Sequence, residues 1–363
     1  MKPNICIIPI LLSLLMFFSG CKEDNNDGDT PKPEVRVLSI RAADISFLPE
    51  IEDAGTTFYD STGTAKDVIT ILNENGCNTV RIRIWHTPVN DHSGIAEVVQ
   101  LANRVREKNM KVWLDIHYSD TWADPGHQKK PAAWESLNTT DLTDSVYNYT
   151  RKVIQLIAPE YVQIGNEINT GFLWNNGSTN NQSDFILLLK SGIKAVRDNS
   201  PFTKIILHIA GYSSAIWFFD VIRSNSVDYD IIGISYYPAW HGKNLTELQN
   251  VLNSISKTNK KPYVIAETAY PFTLDYNDWT NNTIGLSEHL ISGYPASESG
   301  QKNFLLKIKS IITTSDWGEG FCYWAPEWVA FKGQTATDGS SWENMTLFDF
   351  NNRALKGMVV FNP

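Results

Sequence analysis

The sequence predicts a closed (β/α)8 barrel. Three observations carry that expectation: eight short runs rich in β-branched residues, amphipathic stretches of helical period between them, and roughly 330 residues over which the alternation repeats, a length suited to one large filled barrel. In order, the strand candidates are 35–46 (VRVLSIRAADIS), 78–85 (NTVRIRIW), 111–118 (KVWLDIHY), 161–166 (YVQIGN), 204–210 (KIILHIA), 230–237 (DIIGISYY), 262–268 (PYVIAET) and 320–325 (GFCYWA). Segments 64–76, 94–109, 184–199 and 304–314 space their apolar residues along one helical face and supply crossovers that parallel strands require. An open doubly wound sheet is the competing arrangement. No strand candidate leads into a glycine-rich phosphate loop, which weighs against that fold and against a nucleotide or other organic cofactor.

The net charge is −9 and the basic residues form no run or stripe, so nucleic acid is not an expected partner. The 12 Trp, 14 Tyr and 16 Phe fit either a large core or surfaces that stack on sugar rings, and alone decide neither. Residues 1–20 carry Lys2, an apolar stretch and Ser19-Gly20 before Cys21, the order of a secretory signal. The last four resemble a bacterial lipobox with Phe18 in place of the usual Leu, which makes Cys21 the expected lipidated N-terminus and the outer membrane, at the cell surface, the expected location. Residues 21–34 are polar and acidic, too poor in apolar groups to pack, and read as a tether. Residues 35–363 then form the catalytic-sized domain, expected as a monomer. Cys77 and Cys322 fall in apolar runs and are expected as buried thiols, with a bond between them left open.

In such a barrel the reacting groups sit at the C-terminal ends of the strands. Those ends carry Asp44, Arg83, Trp85, His117, Asn166, Glu167, His208, Tyr236, Tyr237, Glu267 and Trp324. Glu167 and Glu267 each follow an apolar run and, on strands four and seven, point into one mouth. Glycoside hydrolysis needs two carboxyls flanking one bond, one protonated and one ionised. A lone strand-end Glu more often caps a helix or pairs with a base, but two in one barrel weaken that reading. Asn166 suits a sugar 2-hydroxyl, and Tyr236 is placed to hold the ionised Glu.

Longer stretches resemble a known family. Residues 114–134 (LDIHYSDTWADPGHQKKPAAW), 165–177 (GNEINTGFLWNNG), 266–273 (AETAYPFT) and 342–350 (WENMTLFDF), with 43–46 and 75–85, are similar in order to glycoside hydrolase family 53, the endo-β-1,4-galactanases of clan A. The resemblance implies retaining endo-hydrolysis of β-1,4-galactan, the galactan of type I arabinogalactan in pectin, with Glu167 as acid/base and Glu267 as nucleophile. Its substrate contacts are expected among Asp44, Arg83, Trp85, His117, Asp120, Trp122, Asn166, Tyr236 and Trp324, whereas Trp113 and Trp217 are expected in the core. It also implies a structural calcium in the loops after strands seven and eight, on Asp275, Asn277, the carbonyl of Trp279, Asn281, Ser340 and Glu343; a merely polar loop is the alternative. Another clan A glucanase or mannanase, or a non-catalytic glycan-binding lipoprotein, remains open at this stage.

Overall fold

Residue 1 and residues 36–363 are described by a computed structural model. The rest of the expected signal segment, the tether up to residue 34 and Cys21 lie outside the described residues. Eight parallel strands form the barrel: β1 (Ile40–Asp44), β2 (Thr79–Ile84), β3 (Lys111–Ile116), β4 (Tyr161–Ile164), β5 (Lys204–Ala210), β6 (Ile231–Ser235), β7 (Tyr263–Thr268) and β8 (Gly318–Trp324). Each pairs with its successor, and β8 pairs with β1 to close the sheet. Every strand candidate overlaps one of these, so the barrel and not the open sheet is the fold.

The helices are α1 (Leu48–Asp53), α2 (Val68–Glu74), α3 (Ile95–Glu107), α4 (Thr139–Ile157), α5 (Gln182–Asn199), α6 (Ala215–Ser224), α7 (Pro238–His241), α8 (Leu245–Asn259) and α9 (Glu298–Thr313). Several begin where a side chain satisfies the free first-turn amides: Asp67 accepts from Ile69 and Thr70, Asn138 from Asp141, Asn244 from Glu247 and Ser297 from Gly300. The alternation within a strand sorts side chains between two cores. On β2, Val80, Ile82 and Ile84 pack outward with Leu101, Ala102 and Val105 of α3, while Arg81 and Arg83 point into the barrel.

Inside the barrel the filling changes with height. The lower layers are apolar, with Trp113, Tyr161, Ile206, Val264 and Cys322 in one cluster. Above them lie Asp44, Arg81, Asp115, Gln163, His208 and Ser235, all buried and polar. Cys77 packs outside the barrel and Cys322 inside it, and both are free buried thiols. Trp113 is fully buried as expected, but Trp217 is 52% exposed on α6, because the apolar face of that helix is formed by Phe218, Phe219 and Ile222 instead.

Trp113→Ala empties the centre of the lower layer. It is expected to cost about 3–5 kcal/mol, and Trp217→Ala less than about 0.5 kcal/mol, as measured by urea unfolding.

Candidate active site

The upper interior is organised around Arg81, which is 1% exposed. Its Nη1 lies 2.7 Å from Asp44 Oδ2, and its Nη2 lies 2.8 Å from Asp115 Oδ2 and 2.9 Å from Glu267 Oε1. The same Nη2 donates to Asn166 Oδ1 at 2.8 Å, and Nε donates to Gln163 Oε1. One cation thus holds three carboxylates at the ends of β1, β3 and β7 and fixes the Asn that follows β4. Burial opposes ionisation of Asp115, yet Arg81 holds it below the ordinary carboxylate range. His117 Nε2 donates to Asp115 at 2.9 Å, since its Nδ1 accepts from Ala123 and Trp85.

Glu167 follows β4 through a turn that needs unusual backbone. Gly165 has φ 83°, where a Cβ would lie 2.5 Å from Ile168 Cγ2, and Glu167 itself has φ 46°. A non-glycine residue in that region costs on the order of 1 kcal/mol and aims this side chain into the mouth. Glu267 ends β7, where the register with β6 shifts between Ile234 and Ser235. One oxygen from each carboxylate and one ring nitrogen of His208 lie within 4.8 Å of one another. Burial raises both Glu167 and Glu267, and Arg81 opposes the rise of each. Two carboxylates this close do not both ionise readily. The charge belongs on Glu267, because Arg81 and the Tyr237 hydroxyl, at 3.1 Å, both bind that carboxylate. A cation among Glu167, Glu267 and His208 is disfavoured: Arg81 already compensates Glu267, and both His208 nitrogens are engaged, by Gln163 and Ser235.

These groups line the floor of a cleft of about 610 Å³ whose walls are largely aromatic. Asp44, Arg83, His117, Trp122, Asn166 and Trp324 line it along with the two Glu. Arg83 is wrapped by Phe47, Trp122 and Trp85 at 4.1, 4.4 and 4.9 Å, and its Nε donates to Ser93. Three expected contacts do not reach the cleft. Trp85 stands one layer behind, donating to His117 and packing edge-on against Trp122. Asp120 accepts from the amides of Thr87 and Ala132 and so braces two loops. Tyr236 is fully buried with its hydroxyl on the Gly242 carbonyl; the hydroxyl on Glu267 is that of Tyr237, because β6 ends at Ser235 and the next two side chains diverge.

Several lining residues escaped the sequence reading. Arg81 shares the inward period of Arg83 and was available from the alternation. Trp328, Trp342 and Asp124 come from loops and Trp240 and His241 from the short α7, and only their residue type marked them. Phe47 stacks on Trp328 at 3.8 Å and Trp324 meets Trp342 edge-on at 4.8 Å, which joins the β1 and β8 loops into one wall.

The expected side-chain calcium ligands of the loop after β7 are out of step by one residue. Asp275 and Asn281 are exposed and Asn277 is half-buried, whereas Asp278, Thr280 and Asn282 are buried beside the loop of Ser340 and Glu343. Asn277 contributes its backbone amide to Glu343 Oε1, at 2.6 Å. Ser340 Oγ donates to the Trp328 carbonyl and accepts from the Trp342 amide. Asp278 Oδ2, Asn282 Oδ1 and Glu343 Oε2 are buried with no partner among the described residues. Alternation in an extended loop exposes one set and buries the other, and the sequence does not say which.

A closed barrel carrying a carboxyl just after β4 and an Arg- and Tyr-bound carboxylate on β7, beneath Trp walls, defines a glycoside hydrolase. Residues 40–361 match glycosyl hydrolase family 53, and the chain belongs to that family. It is 36% identical over 346 residues to the arabinogalactan endo-β-1,4-galactanase of Cellvibrio japonicus, covering 88% of this chain and 89% of that protein. The family 53 catalytic domain of Ignisphaera aggregans superposes with a TM-score of 0.86 at 37% identity, covering 91% and 97%. One of two fungal β-1,4-galactanases gives 0.79 at 29%, covering 90% and 99%.

Tyr237→Phe removes a hydrogen bond to an ionised group worth about 1.5–3 kcal/mol and is expected to lower kcat about 10- to 100-fold. Tyr236→Phe is expected to leave kcat within about twofold, since its hydroxyl never meets Glu267; steady-state kinetics on the two variants separates the adjacent tyrosines.

Proposed function

We propose that the protein is a retaining endo-β-1,4-galactanase acting as a monomer on the galactan of type I arabinogalactan. The reading rests on one observation above the others: the Glu167 and Glu267 carboxylates bring oxygens within 4.8 Å inside a family 53 barrel. Retaining enzymes hold the two carboxyl groups about 5–5.5 Å apart, whereas inverting ones leave room for a water between carboxylate and sugar. Glu267, bound by Arg81 and Tyr237, attacks the anomeric carbon as the bond to the leaving oxygen breaks, and Glu167 gives its proton to that oxygen. Glu167 then takes a proton from water, which displaces Glu267 with overall retention. Asn166, locked by Arg81 and by its own amide on the Ala123 carbonyl, presents a fixed group beside the reacting carbon. Trp324 and Trp122 offer apolar faces to the sugar rings.

Linear β-1,4-galactan is expected to yield galacto-oligosaccharides, with mannan and β-glucan left intact, and Glu267→Ala is expected to lose at least about 10³-fold in rate. Binding without cleavage by the unchanged protein, seen by product chromatography, would turn the assignment toward glycan capture. Hydrolysis of mannan or glucan in its place would make it a different clan A enzyme.

The inward loop oxygens fit a hard divalent cation. Two buried carboxylates and an amide, each with an unpaired oxygen between loops already stitched by backbone hydrogen bonds, are a donor set for calcium. Asp278, Asn282 and Glu343 would hold it, and it would brace the wall carrying Thr283, Ser341 and Trp342 with no part in the chemistry. Chelation is expected to lower the melting temperature and calcium to restore it; in Asp278→Asn both responses should shrink, and a melting temperature indifferent to chelator would remove the ion from the account.

Export and anchoring rest on the sequence order Ser19-Gly20-Cys21 and the acidic stretch behind it. That order supports a position at a bacterial outer membrane, facing the polysaccharide. Labelled palmitate should enter the unchanged protein and not Cys21→Ala; equal labelling of both would refute the anchor.

A further inference from the structure

We infer that Gln128, in the loop after β3, is a positioning residue for Glu167: its side-chain amide grips the peptide planes on both sides of the Glu167 α-carbon and so fixes where that carboxyl meets the glycosidic oxygen. The inference rests on the reading of Glu167 as acid/base and deepens it.

The Gln128 side chain is buried, at 1% exposure. Its Nε2 donates to the Asn166 carbonyl at 2.8 Å and, more weakly, to the Glu167 carbonyl at 3.4 Å. The first carbonyl belongs to the peptide that enters Glu167 and the second to the peptide that leaves it, so one NH2 group restrains both backbone torsions of that residue. The restraint falls where it is needed. Glu167 sits at φ 46°, in the left-handed region that residues with a Cβ avoid, and relaxation toward ordinary backbone would swing the carboxyl out of place. On the opposite side the Ile168 amide donates to the His208 carbonyl of β5 at 2.9 Å. The turn is thus held between β5 and the loop after β3.

That loop is a firm support. Asp124 and His127 exchange backbone hydrogen bonds at 3.0 Å each, the Gln128 carbonyl accepts from the Trp174 amide at 2.7 Å, and Thr170 Oγ1 donates to the Pro125 carbonyl at 3.0 Å. Asn166 Nδ2 donates to the Ala123 carbonyl at 2.7 Å, so the same loop also sets the side chain beside Glu167. The direction of the Gln128 amide is fixed by chemistry: carbonyls only accept, and turning the group over would set Oε1 against two oxygens. The orientation that results leaves Oε1 buried with no partner among the described residues. An unpaired buried acceptor destabilises a fold, so packing alone would be served as well by an apolar side chain of this length. What the polar one adds is the grip on Glu167. Proton donation requires the acid within hydrogen-bond reach of the leaving oxygen, and a displacement of about 1 Å costs up to about 100-fold in rate.

The test compares two leaving groups in the full-length protein and its variants. The leaving sugar of linear galactan departs as an alcohol and needs the Glu167 proton, whereas a dinitrophenyl β-galactobioside releases a stable phenolate and does not. In Gln128→Met, which keeps the length and removes the NH2, kcat/KM on galactan should fall about 10- to 100-fold and kcat/KM on the aryl substrate less than about threefold, with the melting temperature within about 5 °C of the unchanged protein. Glu167→Ala should show the same contrast more steeply. Gln128→Glu keeps the volume, lacks the NH2 and should repeat the contrast; it decides alone should the Met variant not fold. Equal loss on both substrates, or no loss on galactan, overturns the role of Gln128 while the contrast in Glu167→Ala still stands. A Glu167→Ala variant that loses equally on both overturns the acid/base reading and the inference with it.

Discussion

Three carboxylates from three different strands converge on the guanidinium of Arg81, and the whole upper half of the barrel depends on that convergence. Removing the cation would leave Asp44, Asp115 and Glu267 uncompensated in a site with almost no access to water, a loss of about 3–5 kcal/mol for each broken pair of this kind. The planar fork matters as much as the charge, because Nη1, Nη2 and Nε each serve a different strand. A lysine could supply the charge from one point but could not hold β1, β3, β4 and β7 in register around it. The cost of burying these ions is carried by the barrel below, whose apolar filling needs no polar partners.

The same arrangement separates the Glu167 and Glu267 carboxyls by environment. Both leave water and both rise for that reason, but only Glu267 meets a cation at 2.9 Å and a phenol at 3.1 Å. Glu167 forms no ion pair among the described residues, and a ring nitrogen of His208 lies within 4.8 Å of one of its oxygens. Two like side chains thus meet different surroundings within a few ångströms, the difference on which the proposed attack by Glu267 and proton donation by Glu167 rest. The aromatic walls contribute by excluding water above the pair, which strengthens every electrostatic difference beneath them.

Around the mouth, the loops are tied to one another. Phe47 from the β1 loop stacks on Trp328 from the β8 loop, and its amide donates to the buried Glu327 carboxylate. Asp120 holds the β2 and β3 loops together, and Glu343 receives the amides of Asn277 and Asp278 across from the β7 loop. Cleft shape is therefore a property of loop pairs, and a substitution in one loop is felt on the opposite wall.

The sequence by itself pointed to the barrel, since apolar runs repeated eight times with helical periods between them are local signals, and no glycine-rich phosphate loop favoured the open doubly wound sheet that would also bury them. It also determined the Glu167 and Glu267 pair and most of the cleft floor, because strand ends in a barrel have only one place to go. What it left to the tertiary structure were choices of face and register. Tyr236 and Tyr237 are adjacent, and only the end of β6 decides which hydroxyl reaches Glu267; Asp275 through Asn282 alternate, and only packing against the Glu343 loop selects the inward set. Trp85 and Asp120 sit in motif stretches yet act one layer behind the cleft, a depth that no spacing encodes. Arg81 was visible as an inward arginine but not as a hub, because its partners lie 34 or more residues away and meet only when the barrel closes.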